Sequence, residues 1–195
     1  MAEFASFFHQ ILNKRVEAPD KMLFILEELP KQKLREASQN SIQEMIPFFV
    51  DNIREYIDFK IKPLSPSNPD YQEFLNDPKT PLLNYVQKIT QETQCEWAAL
   101  PGAIVLLERL RSKLVKCKIS VNNMHRLLLI SLCIADKFFE DLPVSNSSFA
   151  SAGGFTSQTL LGIEIEFLQC LSFDVFISRE EIDQVLKKWN FTIIN

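Results

Sequence analysis

The sequence predicts an all-α protein, and three observations carry that reading. Only four of the 195 residues are glycine, and no run of alternating valine or threonine marks a strand. Apolar residues recur instead at the three-and-four spacing of amphipathic helices through most of the chain. A hydrophobic content of 46% is enough for a real core, and the length suits one domain with an extension.

The first elements are helical. Phe4, Phe7, Phe8, Ile11 and Leu12 recur at helical spacing, Pro19 breaks the pattern, and residues 22–29 resume it. Ser41 opens a better-marked helix, with Glu44 at the capping-box offset and Pro47 in its second turn. Ile42, Met45, Ile46, Phe49, Val50, Ile53 and Ile57 share one face of it. These stripes read as core packing, with docking of one of them on a partner as the alternative. An N-terminal helical extension is therefore placed at 1–62. Pro63, Pro66, Pro69 and Pro78 then make 63–79 a linker, because proline neither sustains a helix nor donates a main-chain hydrogen bond.

Residues 80–176 read as a five-helix domain. The first helix covers 82–91, with Leu82, Leu83, Val86 and Ile89 inward. The second, roughly 96–112, contains Pro101-Gly102, a pair that costs about 3 and about 1 kcal/mol in a helix interior, so it either starts late or kinks. Asn122 or Asn123 caps the third, Gly153 and Gly154 end the fourth, and Thr156 caps the fifth. A final helix in 177–195 is signalled by Ser178 with Glu181 three residues on, and one face of it carries Ile182, Val185, Leu186 and Trp189.

Composition narrows the chemistry. A formal net charge of −4 without a basic cluster speaks against nucleic acid. Cys95, Cys117, Cys133 and Cys170 lack C-x-x-C spacing and read as reduced thiols. The opening MAEFASFFHQIL is too short and interrupted for a membrane span and has no basic start, so neither membrane nor secretion is expected, only cytosol or nucleus. His9 and His125 have no companions at metal-ligand spacing, and no glycine-rich loop is present to hold phosphate. Without a nucleophile, base and orienter set, the chain is expected to be no enzyme and to need neither cofactor nor metal.

Two charges stand where charges are expensive. Residues 127–135 are apolar except for Ser131, as in a bundle-centre helix, and Lys137 stacks above Ile130, Cys133 and Ile134. In the fifth helix, Leu160, Leu161, Phe167, Leu168 and Leu171 fall within about 60° of Glu164 on a helical projection. Each charge must reach water at a rim, pair within the fold, or meet a partner molecule. An internal pairing and a partner contact both remain open on pattern alone.

A family resemblance bears on that choice. NNMHRLLLISLCIADKFFED, residues 122–141, resembles the third helix of the single-box P/U-type cyclins, where N-x-H-R-L-L leads into A-K-F and acidic residues. Residues 146–154 resemble that family's fourth helix with its terminal Gly-Gly. GIEIEFLQCLSFDV resembles the fifth, whose L-E-x-x-F-L pattern ends in Phe-Asp. The resemblance covers about half the chain. It implies that 80–176 is a cyclin box and that the protein is the regulatory subunit of a cyclin-dependent kinase, forming a heterodimer with it and activating it.

In that family one Lys of the third helix and one Glu of the fifth bond the kinase's mobile C-helix region, and they match Lys137 and Glu164. The aromatic after the Lys packs on the kinase, which maps that role to Phe138. Leu160 and Leu168 are expected to add apolar contact. His125 and Arg126 belong to the N-x-H-R signature and are expected to be structural, the first hydrogen-bonded and the second ion-paired. Glu108 in ERLRS is expected to be ion-paired as well. Asp136 replaces the small residue usual before the Lys and can partner Lys137 internally. The substrate-docking motif of the first helix in cell-cycle cyclins is not recognisable around 79–88. The alternative is a helical adaptor with a divergent box that activates no kinase.

Overall fold

The computed structural model describes residues 31–57, 80–113, 119–120 and 123–191, with side chains described from residue 42 onward. Among them are seven helices and no strand: α1 (Lys31–Tyr56), α2 (Leu82–Thr93), α3 (Ala99–Lys113), α4 (Met124–Phe139), α5 (Asn146–Gly153), α6 (Ser157–Cys170) and α7 (Arg179–Lys188). The all-α expectation holds for these residues. The Phe-rich stripe before Pro19, the linker prolines 63–78, Cys117 and Asn122 lie outside the described residues. The chain divides into two compact units, Met1–Glu36 and Ala37–Asn195, and every described side chain belongs to the second.

The apolar face read from the sequence of α1 is core. Ile42, Met45, Ile46 and Phe49 are wholly buried, and Val50 and Ile53 nearly so. The start of the helix differs from expectation. It begins at Lys31 rather than Ser41, so Ser41 and Glu44 lie within it instead of capping it. Pro47 is tolerated inside because it sits on the exposed side of the helix, away from the buried face.

Two helices form the centre. Residues 99–107 of α3 and 128–136 of α4 are all buried, and these helices share the most extensive contact among the described residues. Of the two readings for Pro101-Gly102, the late start is correct. The helix begins at Ala99, so Pro101 falls in the first turn, where its missing N–H has no intrahelical partner. Gly102 is a point of close approach. A Cβ there would lie 2.7 Å from Phe139 Cε2, 3.2 Å from Ala135 Cβ and 3.3 Å from Ile177 Cδ1.

Around this pair the predicted caps are in place except at α4, where Asn123 stands at the N-cap position without a side-chain bond to the helix and its Oδ1 accepts instead from the Ser120 N–H at 2.9 Å. Thr156 Oγ1 accepts from the Thr159 N–H at 3.1 Å, and Ser178 and Glu181 complete a reciprocal capping box at 3.2 and 2.8 Å. The short α5 is capped by Ser145, which accepts from the Ser148 N–H, and ends at Gly154 with φ +79°. Gly153 has a different reason to be glycine, since a Cβ there would run into the Leu129 side chain.

Charged residues of α3 hold the segment that follows α6. Arg109 donates to the main-chain carbonyls of Asp174 and Phe176, each at 2.9 Å, and to the carboxylates of Asp174 at 3.3 Å and Glu181 at 2.7 Å. Lys113 donates to Leu171 O and to Asp174 Oδ2. These bonds hold the connection between α6 and α7, where Ser172 and Phe173 take left-handed backbone angles. Glu108, expected to form an ion pair, accepts instead from the Tyr56 hydroxyl at 2.5 Å and so joins α3 to α1. Burial and that carboxylate hold the Tyr56 phenol far above its ordinary pKa, and Arg111 lies 4.4 Å over its ring. Trp189 meets Phe49 edge-on at 6.5 Å, which brings the end of α7 onto α1.

Candidate partner-binding site

Lys137 and Glu164, chosen from the sequence because each interrupts an apolar surface, meet. Lys137 Nζ lies 2.6 Å from Glu164 Oε1. The other carboxylate oxygen accepts from Asn146 Nδ2 at 2.7 Å, so α4, α5 and α6 converge on one polar point. The Glu164 side chain is 11% exposed and that of Lys137 is 29% exposed, which puts the carboxylate under the rim and the ammonium at it. Two donors on two oxygens offset the desolvation of Glu164, as a carboxylate in an apolar stripe requires.

Asp136 does not hydrogen-bond Lys137. It is wholly buried, and its Oδ2 accepts from the Val144 N–H at 2.9 Å, pinning the loop from α4 to α5. Burial raises its carboxyl pKa from the ordinary value. Hydrogen bonds from the Val144 and Glu96 backbone, and the nearby Lys137 charge, oppose the rise without cancelling it. The Cys133 thiol, one turn before Lys137, is pushed up to about 12 mainly by burial, and Asn146 Oδ1 lies 3.9 Å from its sulfur.

Beside the charged pair the apolar residues are not those the sequence assigned. Leu160 is wholly buried and Leu168 is 7% exposed, so both are core rather than open to a partner. Leu161, placed by projection in the same stripe, is 49% exposed, and Ile165 is 39% exposed. The reason is angular. The covered arc of α6 runs from Ile163 through Phe167, Leu160 and Leu171 to Leu168, and its centre lies roughly 30° to one side of Glu164. Leu168 ends the arc about 40° from Glu164, and Leu161 and Ile165 lie beyond it. Phe138 is 36% exposed and stands edge-on to Phe139 at 5.0 Å and to the 65% exposed Phe176 at 5.9 Å, forming an open aromatic cluster.

Of the residues read as structural, His125 is buried, with Nε2 3.4 Å from Thr80 O and its ring edge-on to Tyr85 at 4.8 Å. Arg126 pairs with Glu166 at 3.0 Å. Sequence reasoning missed Arg109 and Asn146. Both bond partners distant in the chain, Arg109 at positions 174, 176 and 181 and Asn146 at 164, and no local pattern points to either. A shallow cleft lined by Val105, Glu108, Arg109, Gln184 and Lys188 offers little to a ligand, because Glu108, Arg109 and Lys188 already bond Tyr56, Glu181 and Glu55. Among the described residues no three His, Cys, Asp or Glu side chains converge as metal ligands, and no helix is long and apolar enough to cross a membrane.

Comparison with known proteins gives one family. The cyclin family model matches residues 12–175. Cyclin-U2-1 of Arabidopsis thaliana is 31% identical over 101 residues, which is 52% of this chain and 46% of that protein. Cyclin-P4-1 of Oryza sativa subsp. japonica is 27% identical over 104 residues, 53% of this chain and 49% of that protein. PHO85 cyclin-7 of Saccharomyces cerevisiae is 38% identical over 72 residues, 35% of this chain and 25% of that protein. The chain spans about half the length of the plant relatives it matches.

Proposed function

The chain belongs to the cyclin family and is similar to its U and P types; from that premise we propose that it is the regulatory subunit of a cyclin-dependent kinase and activates it by holding its C-helix inward. The observation that carries the reading is the meeting of Lys137 and Glu164 at 2.6 Å on a partly open rim, next to the exposed ring of Phe138. Both charges are satisfied by side chains alone. A docking kinase therefore exchanges one set of hydrogen bonds for another and unfolds nothing.

Lys137 turns its ammonium to a main-chain carbonyl of the kinase, and Glu164 accepts from a main-chain N–H. Neither bond has to supply great affinity, because burying a charge costs about what the new bond returns. Their contribution is orientation. Apolar contact comes from Phe138 and, in place of Leu160 and Leu168, from Leu161 and Ile165 on the open edge of α6. A kinase whose inward state is about 1% populated becomes almost wholly active if the cyclin prefers that state by about 5.5 kcal/mol. The inward C-helix completes the Lys-Glu pair that positions ATP.

The domain plan belongs to the same proposal, with a cyclin box at 80–176, a linker at 63–79 before it and a C-terminal helix after it, acting in cytosol or nucleus. The name of the yeast relative points to PHO85 as the kinase to try first. Immobilised wild-type protein should capture a cyclin-dependent kinase from source-cell extract, read by mass spectrometry, and raise the kinase activity of the recovered complex. The double variant Lys137→Ala with Glu164→Ala should recover at least about tenfold less, a loss of about 1.4 kcal/mol. Equal recovery by both proteins refutes the interface, and capture without activation selects the adaptor reading.

A further inference from the structure

Glu164 is held from two sides, and only one of its holders is charged. Lys137 takes Oε1, while Asn146 Nδ2 takes Oε2 at 2.7 Å. Asn146 is the first residue of α5, and its position is fixed by the Ser145 cap before it and by the seating of Gly153 on Leu129 behind it. Its amide also has a preferred way round. The Glu164 carboxylate can only accept, which turns the amide N–H groups toward it and leaves Oδ1 on the side of the Cys133 thiol, 3.9 Å from its sulfur.

Resting on the kinase reading above, we propose that Asn146 is the positioning residue of this interface: it keeps the Glu164 carboxylate aimed at the rim while Lys137 changes partners. When the ammonium leaves Oε1 for the kinase, a carboxylate that is 11% exposed would otherwise be without any donor inside the chain. With Asn146 on Oε2 it keeps one bond and its orientation, and Oε1 is presented to the incoming N–H. Without Asn146 the carboxylate stays with Lys137 or rotates away, and either outcome leaves two docking groups misplaced. Asn146 itself touches no kinase atom in this scheme.

Two variants test it by isothermal titration with purified yeast PHO85 as the probe kinase. Asn146→Ala should bind about tenfold more weakly than wild type. Asn146→Asp should show a pH signature that a merely structural residue lacks. It places two carboxylates at hydrogen-bond distance, which cannot both be ionised at low cost. At pH 8 they repel each other and compete for Lys137. At pH 5.5 a shared proton restores an O–H donor to Glu164, so the deficit relative to wild type at the same pH should shrink severalfold. The charged or titratable groups facing this point are Lys137, Asp136 and Cys133 on α4 and Glu164 on α6, while α5 carries none.

Wild-type affinity for Asn146→Ala overturns the positioning role and leaves the kinase reading intact. So does a deficit for Asn146→Asp that is the same at both pH values. Should Asn146→Ala fail the far-ultraviolet circular dichroism check for folding, the low-pH recovery of Asn146→Asp decides alone. Failure of wild type to bind the probe removes the reading beneath the proposal, and the proposal with it.

Discussion

Arg109 and Lys137 are both cations that reach a carboxylate far along the chain, yet their surroundings differ in kind. Arg109 makes four hydrogen bonds, two of them to main-chain carbonyls in a connection that has no ladder or helix to satisfy them. Lys137 meets one carboxylate, which is also held by Asn146. The difference teaches how to sort charges in a helical protein. A charge that satisfies otherwise unpaired backbone is part of the fold, because removing it strands groups that have no alternative. A charge satisfied only by side chains can change partners, and the region around it is available for recognition.

The largest expected effect breaks the comparison at its structural end. Arg109→Ala should cost about 2 kcal/mol of stability, seen as a lower urea midpoint with unchanged slope, because two main-chain carbonyls and two partly exposed carboxylates lose the largely covered guanidinium that they share. A loss under about 1 kcal/mol would place Arg109 in the same class as Lys137. At the other end, Lys137→Met should lower stability by no more than about 1 kcal/mol, since its stem can still cover apolar surface, while kinase binding falls about tenfold or more. A large loss of stability with no loss of binding would reverse the two assignments.

The smallest effect sharpens the comparison through acid. Burial pushes the Glu181 carboxyl up, but the Ser178 main-chain N–H and the Arg109 guanidinium outweigh it and hold the pKa below the ordinary 4.5. Its stabilisation is therefore present above that ordinary value and lost as pH falls through the depressed one. Asp136, beside the Lys137 site, has the opposite sign. Its pKa is raised from 3.8, chiefly by burial, so its contribution is fully present below that value and lost as pH rises through the raised one. In urea titrations across pH, Glu181→Gln should destabilise at pH 7 and converge on wild type in acid. Asp136→Asn should match or exceed wild type at pH 7, since Asn still accepts from the Val144 N–H without a buried charge.

What the sequence disclosed obeys the same division. Thr156 and Ser178 were legible because a cap acts on a main-chain N–H three residues away, inside the window that a sequence reader sees. Lys137 and Glu164 were legible because each interrupts an apolar surface. Arg109 and Asp174 were not, since they are 65 positions apart and nothing local to either one points to the other. Leu160 and Leu168 were placed on the correct stripe but given the wrong role. Projection orders residues around α6, while the edge that neighbouring helices cover is decided by packing. Ser41 and Glu44 have the composition of a capping box, yet the helix runs on through them from Lys31. Residue types alone do not distinguish a cap from an interior pair.

Gly153 and Gly154 illustrate how two identical neighbours can be irreplaceable on unrelated grounds. At the first there is no room and at the second there is open space, but the backbone at the second turns with φ +79°. Mirror-image chemistry separates them: a D-alanine introduced by peptide ligation suits the handedness of position 154, whereas at position 153 the right-handed helix calls for an L-residue whose methyl group must first displace Leu129.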